Sequence, residues 1–154
     1  METLYKILFY ISGFVIVWAM VGYPLSLKLI VKIYKNRLLE KDYSHQPTVT
    51  VMVVAHNEER VILEKLNNII ELDYPLDKIE FLIASDNSTD KTNKIVMNFI
   101  SEHEDYNIRL YRVKERKGKT HAQNEAQKTI TSEYLVMTDA NSIMDKNSVK
   151  ELMA

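Results

Sequence analysis

The chain has 154 residues, with 20 Lys and Arg against 21 Asp and Glu, no Cys, 46% hydrophobic and 27% charged residues. That length suits about one domain, and a sequence pI of about 6.4 excludes a chain-wide nucleic-acid binder, whose footprint is basic. Without Cys there is no disulfide scaffold, thiolate metal site or Cys nucleophile, and three Gly with three Pro exclude collagen-like and low-complexity classes.

Ile7 to Leu27, ILFYISGFVIVWAMVGYPLSL, carries no charge. As one helix these residues reach roughly 31 Å, about the hydrocarbon thickness of a bilayer. The run has no polar face, is long for the apolar part of a signal peptide, and precedes no Ala-x-Ala site. It therefore reads as a transmembrane helix, with Tyr5 and Tyr23 near its ends and Pro24 expected to kink or end it. Lys6 stands alone on the amino side, whereas Lys28, Lys32, Lys35, Arg37 and Lys41 follow the span. Cations stay cytoplasmic, so the expected topology is single-pass with the N-terminus outside and the remainder in the cytoplasm. Lys28 to Leu39 is expected to lie along the inner leaflet, which makes 1–39 the anchor and juxtamembrane segment. Residues 40–48, with Pro47, read as a linker, and 49–154 as a soluble domain.

Val49 to Ala55, VTVMVVA, is β-branched and apolar without alternation, as in a strand buried on both faces. Glu58 to Leu72 spaces Ile62, Leu66, Ile69 and Ile70 as a helix, stopped by Asp73-Tyr-Pro75. Ile79 to Ala84 is a second strand, and a helix is expected from near the capping residue Asp90. Ile108 to Val113 alternates, as a strand nearer an edge does. Lys119 to Ile130 reads as a weak helix, Tyr134 to Met137 as a fourth strand, and Ser148 to Ala154 begins another helix. Alternating strands and helices predict an α/β fold, an open parallel sheet with right-handed crossovers. The pattern ends inside a helix, which suggests the front portion of something larger.

Polar residues follow each strand: His56, Asn57 and Glu58; Ser85, Asp86, Asn87 and Asp90; Arg116 to Lys119; then Asp139 and Asn141. In a parallel sheet these loops open on the carboxyl edge, where such folds bind ligands. The set suits an anionic nucleotide held through a metal. Asp139 and Asn141 offer oxygen ligands to Mg²⁺ or Mn²⁺, Lys119 offers positive potential to a diphosphate, and Asp86 offers an acceptor to a base N–H. Plainer readings stand beside these. Asp86 and Asp90 could be turn and cap residues, and Lys114 to Lys119 a solvated charge run. His56 and His121 read as polar lining or surface rather than metal ligands. Gly118-Lys119-Thr120 matches the tail of a phosphate-binding P-loop, but the first glycine of that motif would fall on Val113.

VTVMVVAHNEE resembles the V-x-V-x-I-P-A-Y-N-E-E opening of family 2 glycosyltransferases of the GT-A, Rossmann-like fold. FLIASDNSTDKT is similar to their D-D-G-S-T-D-x-T loop, KGKTHAQNEA to G-K-x-x-A-L-N, and YLVMTDANS to the strand entering D-x-D. An amino-terminal membrane helix before such a domain resembles the membrane-bound polysaccharide synthases of the hyaluronan and cellulose synthase kind. The resemblance implies transfer of a sugar from a nucleotide-sugar donor, usually a UDP-sugar, to a glycan or lipid acceptor, with a divalent cation. It implies that Ala55, His56, Asn57 and Glu58 border the donor nucleoside, that Asp86 meets the base, that Lys119 lies near the phosphates, and that Asp139, with Asn141, faces the metal. His56, Ser85, Gln123 and Asn141 depart from the pattern; Asn141 stands where a second metal-binding Asp is usual, and a neutral amide attracts a dication less than a carboxylate does. The acceptor half and the general base are expected beyond residue 154, so the domain reads as incomplete at its C-terminus. That leaves open a split enzyme completed by a second polypeptide, an inactive remnant, a non-catalytic nucleotide-sugar-binding module, and a nucleotidyltransferase on a similar sheet.

Overall fold

The computed structural model describes residues 1–34 and 41–154, which form two compact units, Met1–Lys41 and Asp42–Ala154. The sequence expectations for Lys35, Arg37, Leu39 and Glu40 lie outside the described residues.

The first unit is helical: α1 (Glu2–Val17), a π-helical turn (Trp18–Gly22) and α2 (Tyr23–Tyr34). Its apolar side chains are exposed, Phe9 and Met20 each at 74%. Among the described residues it alone, over Glu2–Ile33, is long and apolar enough to cross a membrane. Pro24 does not end it. Proline lacks an N–H and its ring crowds the carbonyl four residues earlier, and a π turn relieves both effects. Within the turn Gly22 lies against the Trp18 ring so closely that a Cβ there would collide with it. The helix then continues past Lys28 and Lys32 to Tyr34.

The second unit alternates β1 (Val49–Ala55), α3 (Ile62–Ile70), β2 (Ile79–Ser85), α4 (Thr92–Glu102), β3 (Ile108–Arg112), α5 (Lys119–Gln127), β4 (Tyr134–Asp139) and α6 (Ser148–Met153). All four strands pair in parallel, in the order β3-β2-β1-β4. β1 is central and every one of its residues is buried, as its unbroken apolar run requires. Right-handed crossovers place α3 and α4 on one face, because β1 to β2 to β3 steps in a single direction. There Val51, Val53, Phe81 and Ile83 pack with Leu66, Ile69, Val96 and Phe99. The chain then reverses direction from β3 to β4, so α5 covers the other face, where Ala122 and Ala126 meet Met52, Val54, Leu82 and Ala84. Alanines suit this side because the helix backbone must lie close to the sheet.

α4 begins at Thr92, near Asp90 as expected, but α3 begins at Ile62 rather than Glu58. The difference has one cause, a set of hydrogen bonds between the loops after β1 and β2.

Candidate functional site

Three successive amides of the β1 loop donate to side chains of the β2 loop. Asn57 N–H reaches Ser88 Oγ at 3.2 Å, Glu58 N–H reaches Thr92 Oγ1 at 2.8 Å, and Glu59 N–H reaches Asp90 Oδ2 at 3.1 Å. In return Thr89 N–H donates to Asn57 Oδ1 at 2.8 Å and Lys91 N–H to Glu59 Oε2 at 3.1 Å. Asn57 and Asn87 adopt the left-handed region, with φ of 56° and 51°, a conformation asparagine tolerates better than most residues. The S-T-D-K-T segment is thus a clamp that fixes where Glu58 stands. Glu58 C=O accepts from Val61 and Ile62, so residues 58–61 form the turn that leads into α3.

Asp90 also takes the Thr92 amide at 2.9 Å, a local turn around Lys91, the residue that precedes α4. Burial raises its carboxyl pKa, but the Thr92 hydroxyl and amide and the Glu59 amide outweigh burial and hold it below the usual carboxylate value. A depressed folded pKa contributes stability above the unfolded value, near 4, that is lost as pH falls through the folded value. Asp90→Asn keeps an accepting oxygen but loses the charge behind these bonds, and is therefore expected to cost about 1 kcal/mol at neutral pH. In thermal melts across pH the difference should close on acidification; a gap that persists undiminished at pH 2 would contradict the assignment.

Asp86 is 2% exposed. Its carboxylate accepts from the amides of Gly118, at 3.0 Å, and Lys117, at 3.3 Å, and so anchors the start of α5 from the β2 loop. Gly118 has φ 93° and ψ 166°, a conformation open essentially to glycine alone, which turns its N–H toward Asp86 and makes Lys119 the first residue of α5. The Asp86 backbone N–H donates to Ala55 C=O at 2.9 Å, and its own C=O lies 2.7 Å from His56 Nδ1. A carbonyl only accepts, so Nδ1 carries the hydrogen and Nε2 is the nitrogen left for other partners. Ser85, where the family pattern has Asp, is fully buried and bonds Ser88 Oγ at 3.1 Å.

The strand ends are level: Ala55 pairs with Ser85 and Val54 with Asp139. Outside the carboxyl ends of β1 and β4, where the strand order reverses, lies a crevice of about 240 Å³ lined by Val54, His56, Glu58, Asp86, Lys119, Asp139, Ala140 and Asn141. Six of the eight expected site residues therefore meet there. The other two do not line it: Ala55 is buried with its carbonyl on Asp86, and Asn57 turns its amide to the β2 loop. A hollow of about 190 Å³ at the opposite edge, where Asp77, Lys78 and Glu80 meet Thr48 and Ser132, contains none of the expected site residues.

Within the crevice Lys119 Nζ pairs with Asp139 Oδ1, both side chains being about half exposed (54% and 56%), so the pair adds little stability and is free to exchange partners. Among the described residues no group of three or more His, Asp or Glu is placed to hold a metal. Asp139 and Asn141 do fit a hard dication whose shell is completed from outside the protein, since Mg²⁺ commonly takes one or two carboxylates plus substrate phosphates and water.

Sequence reasoning passed over Lys65. It is fully buried, and its ammonium donates to Thr138 Oγ1 and to Ser142 C=O, each at 2.8 Å, under the turn that carries Asp139 and Asn141. Burial lowers its pKa and Asp139 raises it in part. The signal was legible: Ile62, Lys65, Leu66 and Ile69 follow the i, i+3, i+4, i+7 spacing of the buried face.

The family model for "Glycosyl transferase family 2" matches residues 50–154. The chain belongs to the family 2 glycosyltransferases. "Probable glycosyltransferase YdaM" of Bacillus subtilis is 36% identical over 110 residues, covering 70% of this chain and 26% of that protein. "Poly-beta-1,6-N-acetyl-D-glucosamine synthase" of Staphylococcus epidermidis is 28% identical over 115 residues, covering 73% and 27%. The chain thus spans about a quarter of the length of these relatives. Among solved structures, the mannosyltransferase PcManGT of Pyrobaculum calidifontis, in complex with GDP-Man and Mn²⁺, superposes with a TM-score of 0.78 at 34% identity, over 90% of this chain and 41% of that one. S. aureus TarS in complex with UDP-GlcNAc matches with a TM-score of 0.62 at 25% identity, over 68% and 30%. These neighbours carry the GT-A fold, as the four-stranded parallel sheet does.

Proposed function

We propose that this chain is the donor-binding part of a membrane-anchored glycosyltransferase that takes a sugar from a nucleotide-sugar donor, a UDP-sugar first among candidates, to a glycan or lipid acceptor. The observation that carries the reading is the meeting of Glu58, Asp86, Lys119 and Asp139 in one crevice at the strand-order reversal. Asp86 receives the base through the acceptor capacity its two amide bonds leave over, since each carboxylate oxygen accepts more than once. His56 Nε2 and Glu58 border the nucleoside. Lys119 leaves Asp139 for the diphosphate, and Asp139 with Asn141 then holds the Mg²⁺ or Mn²⁺. The bound cation would neutralise charge on the leaving diphosphate.

In this reading residues 1–39 anchor the protein, 40–48 link, and 49–154 form the donor half on the cytoplasmic side. The carboxylate that takes the acceptor's proton lies outside residues 1–154, on a longer chain or a second polypeptide. One observation supports that: neither Asp145 nor Glu151 lines the crevice. The matched stretch is only about a quarter of the length of these relatives, which also favours a binding-only role for it by itself.

The test uses membrane vesicles holding the full chain. Inverted vesicles, cytoplasmic face outward, should bind UDP or GDP in the presence of Mn²⁺, and right-side-out vesicles should not. Sugar transfer or donor hydrolysis by these 154 residues alone would overturn the binding-only part, and no nucleotide binding in either orientation would overturn the donor site.

A further inference from the structure

Lys65 has no part in the mechanism above, yet it is the largest side chain fully withdrawn from solvent. An ammonium that deep costs several kcal/mol of hydration unless its surroundings return it, and a methionine of similar volume commonly serves stability as well or better. Its partners are not a carboxylate but the hydroxyl of Thr138 and the carbonyl of Ser142, the residues that flank Asp139-Ala140-Asn141. The same short turn is closed by Thr138 Oγ1 to Ser142 Oγ at 2.9 Å and by Ser142 Oγ donating to Asp139 C=O at 2.9 Å. Lys65 and Asn141 also line a shared hollow of about 70 Å³. The cation therefore sits behind the one carboxylate of the turn, at a position where the second acid of the usual pair is already replaced by an amide.

We propose that Lys65 is a positioning residue and a resident counter-charge of the Asp139–Asn141 turn, biasing the crevice toward the donor's diphosphate and away from a free divalent cation. This rests on the donor-site reading. Binding order follows from it. A bare dication meets one carboxylate, an amide and two nearby ammonium groups, Lys65 and Lys119, and is held weakly. A nucleoside diphosphate meets the same two cations favourably and brings the oxygens the metal lacks.

The experiment measures two ligands separately on the full chain in detergent: Mn²⁺ alone, by the free-ion spin-resonance signal, and UDP with EDTA, by calorimetry. For Lys65→Met, Mn²⁺ should bind about tenfold tighter and UDP about tenfold weaker, the size a unit charge has at a few ångströms in a wet site. Lys65→Arg should stay within about threefold of the parent for both. A merely structural lysine would weaken both ligands together in Lys65→Met; that result, or no change in either, overturns the proposal. Should Lys65→Met not fold, Lys65→Gln must give the same opposed shifts, and failure of both to fold beside a folded Lys65→Arg makes the residue a structural prop and also overturns it. The Mn²⁺ arm needs no nucleotide. A parent chain that binds no UDP or GDP under any condition therefore defeats the donor-site reading, while the Lys65 charge effect is still read from the metal.

Discussion

Asp139→Ala is expected to lower Mn²⁺-dependent nucleotide binding by roughly a hundredfold or more, since even partners one shell removed from a metal cost 10- to 100-fold when lost. Asp139 is the one carboxylate of its turn, and its neighbour in the metal role, Asn141, is neutral. Removal also releases Lys119 from its ion pair. The freed ammonium should leave metal-free UDP binding unchanged or tighter, so the two affinities move apart. Asn141→Asp should act in reverse, tightening Mn²⁺ by about tenfold through one added charge. Calorimetric titration of both variants decides the matter: equal Mn²⁺ affinity in parent, Asp139→Ala and Asn141→Asp would remove this turn from metal binding.

Asp86→Asn should be the other large effect, and should show in stability as well as binding. The carboxylate is buried and accepts two amides from the β3–α5 connection. An amide side chain of the same shape has one accepting oxygen, so one of the two N–H groups would face an NH₂ donor. Charge-assisted bonds contribute about 1.5–3 kcal/mol, and a buried unsatisfied donor costs a similar amount. We expect about 2–3 kcal/mol of destabilisation, together with loss of the α5 start that presents Lys119. Denaturant unfolding gives the first and UDP titration the second. Loss of UDP affinity without loss of stability would mean that Asp86 serves the base only and not the α5 junction.

Glycine at position 118 belongs to the same device. Its positive φ aims the amide at Asp86, and the G-K-T triplet that resembles a P-loop tail follows edge strand β3, distant in strand order from β1. The resemblance to that motif comes from a shared need, a glycine that lets backbone amides face an oxygen anion. Here the anion is the protein's own Asp86.

The strand and helix order, the buried character of β1, the edge character of β3 and the collection of polar residues at the strand ends were all readable from the chain. Each depends on a property that travels with local sequence: the period of the apolar positions, β-branching, or a breaker such as Asp73-Tyr-Pro75. The turn before α3 was misread as helix because three amides bind side chains roughly thirty residues further on, partners that no local window contains. Of the two outcomes expected of Pro24, ending the helix did not occur, because a helix can widen by one residue per turn and pass it.

Residue type and spacing along the chain therefore suffice for the class of fold and for the list of polar residues around a carboxyl-edge ligand site. Which of those residues share the crevice, and that Ala55 and Asn57 instead support it, came from the level register of β1 with β2 and β4. The partners of Asp86 and the place of Lys65 were set the same way, since hydrogen bonds and buried charges depend on distances of a few ångströms between segments that only packing brings together.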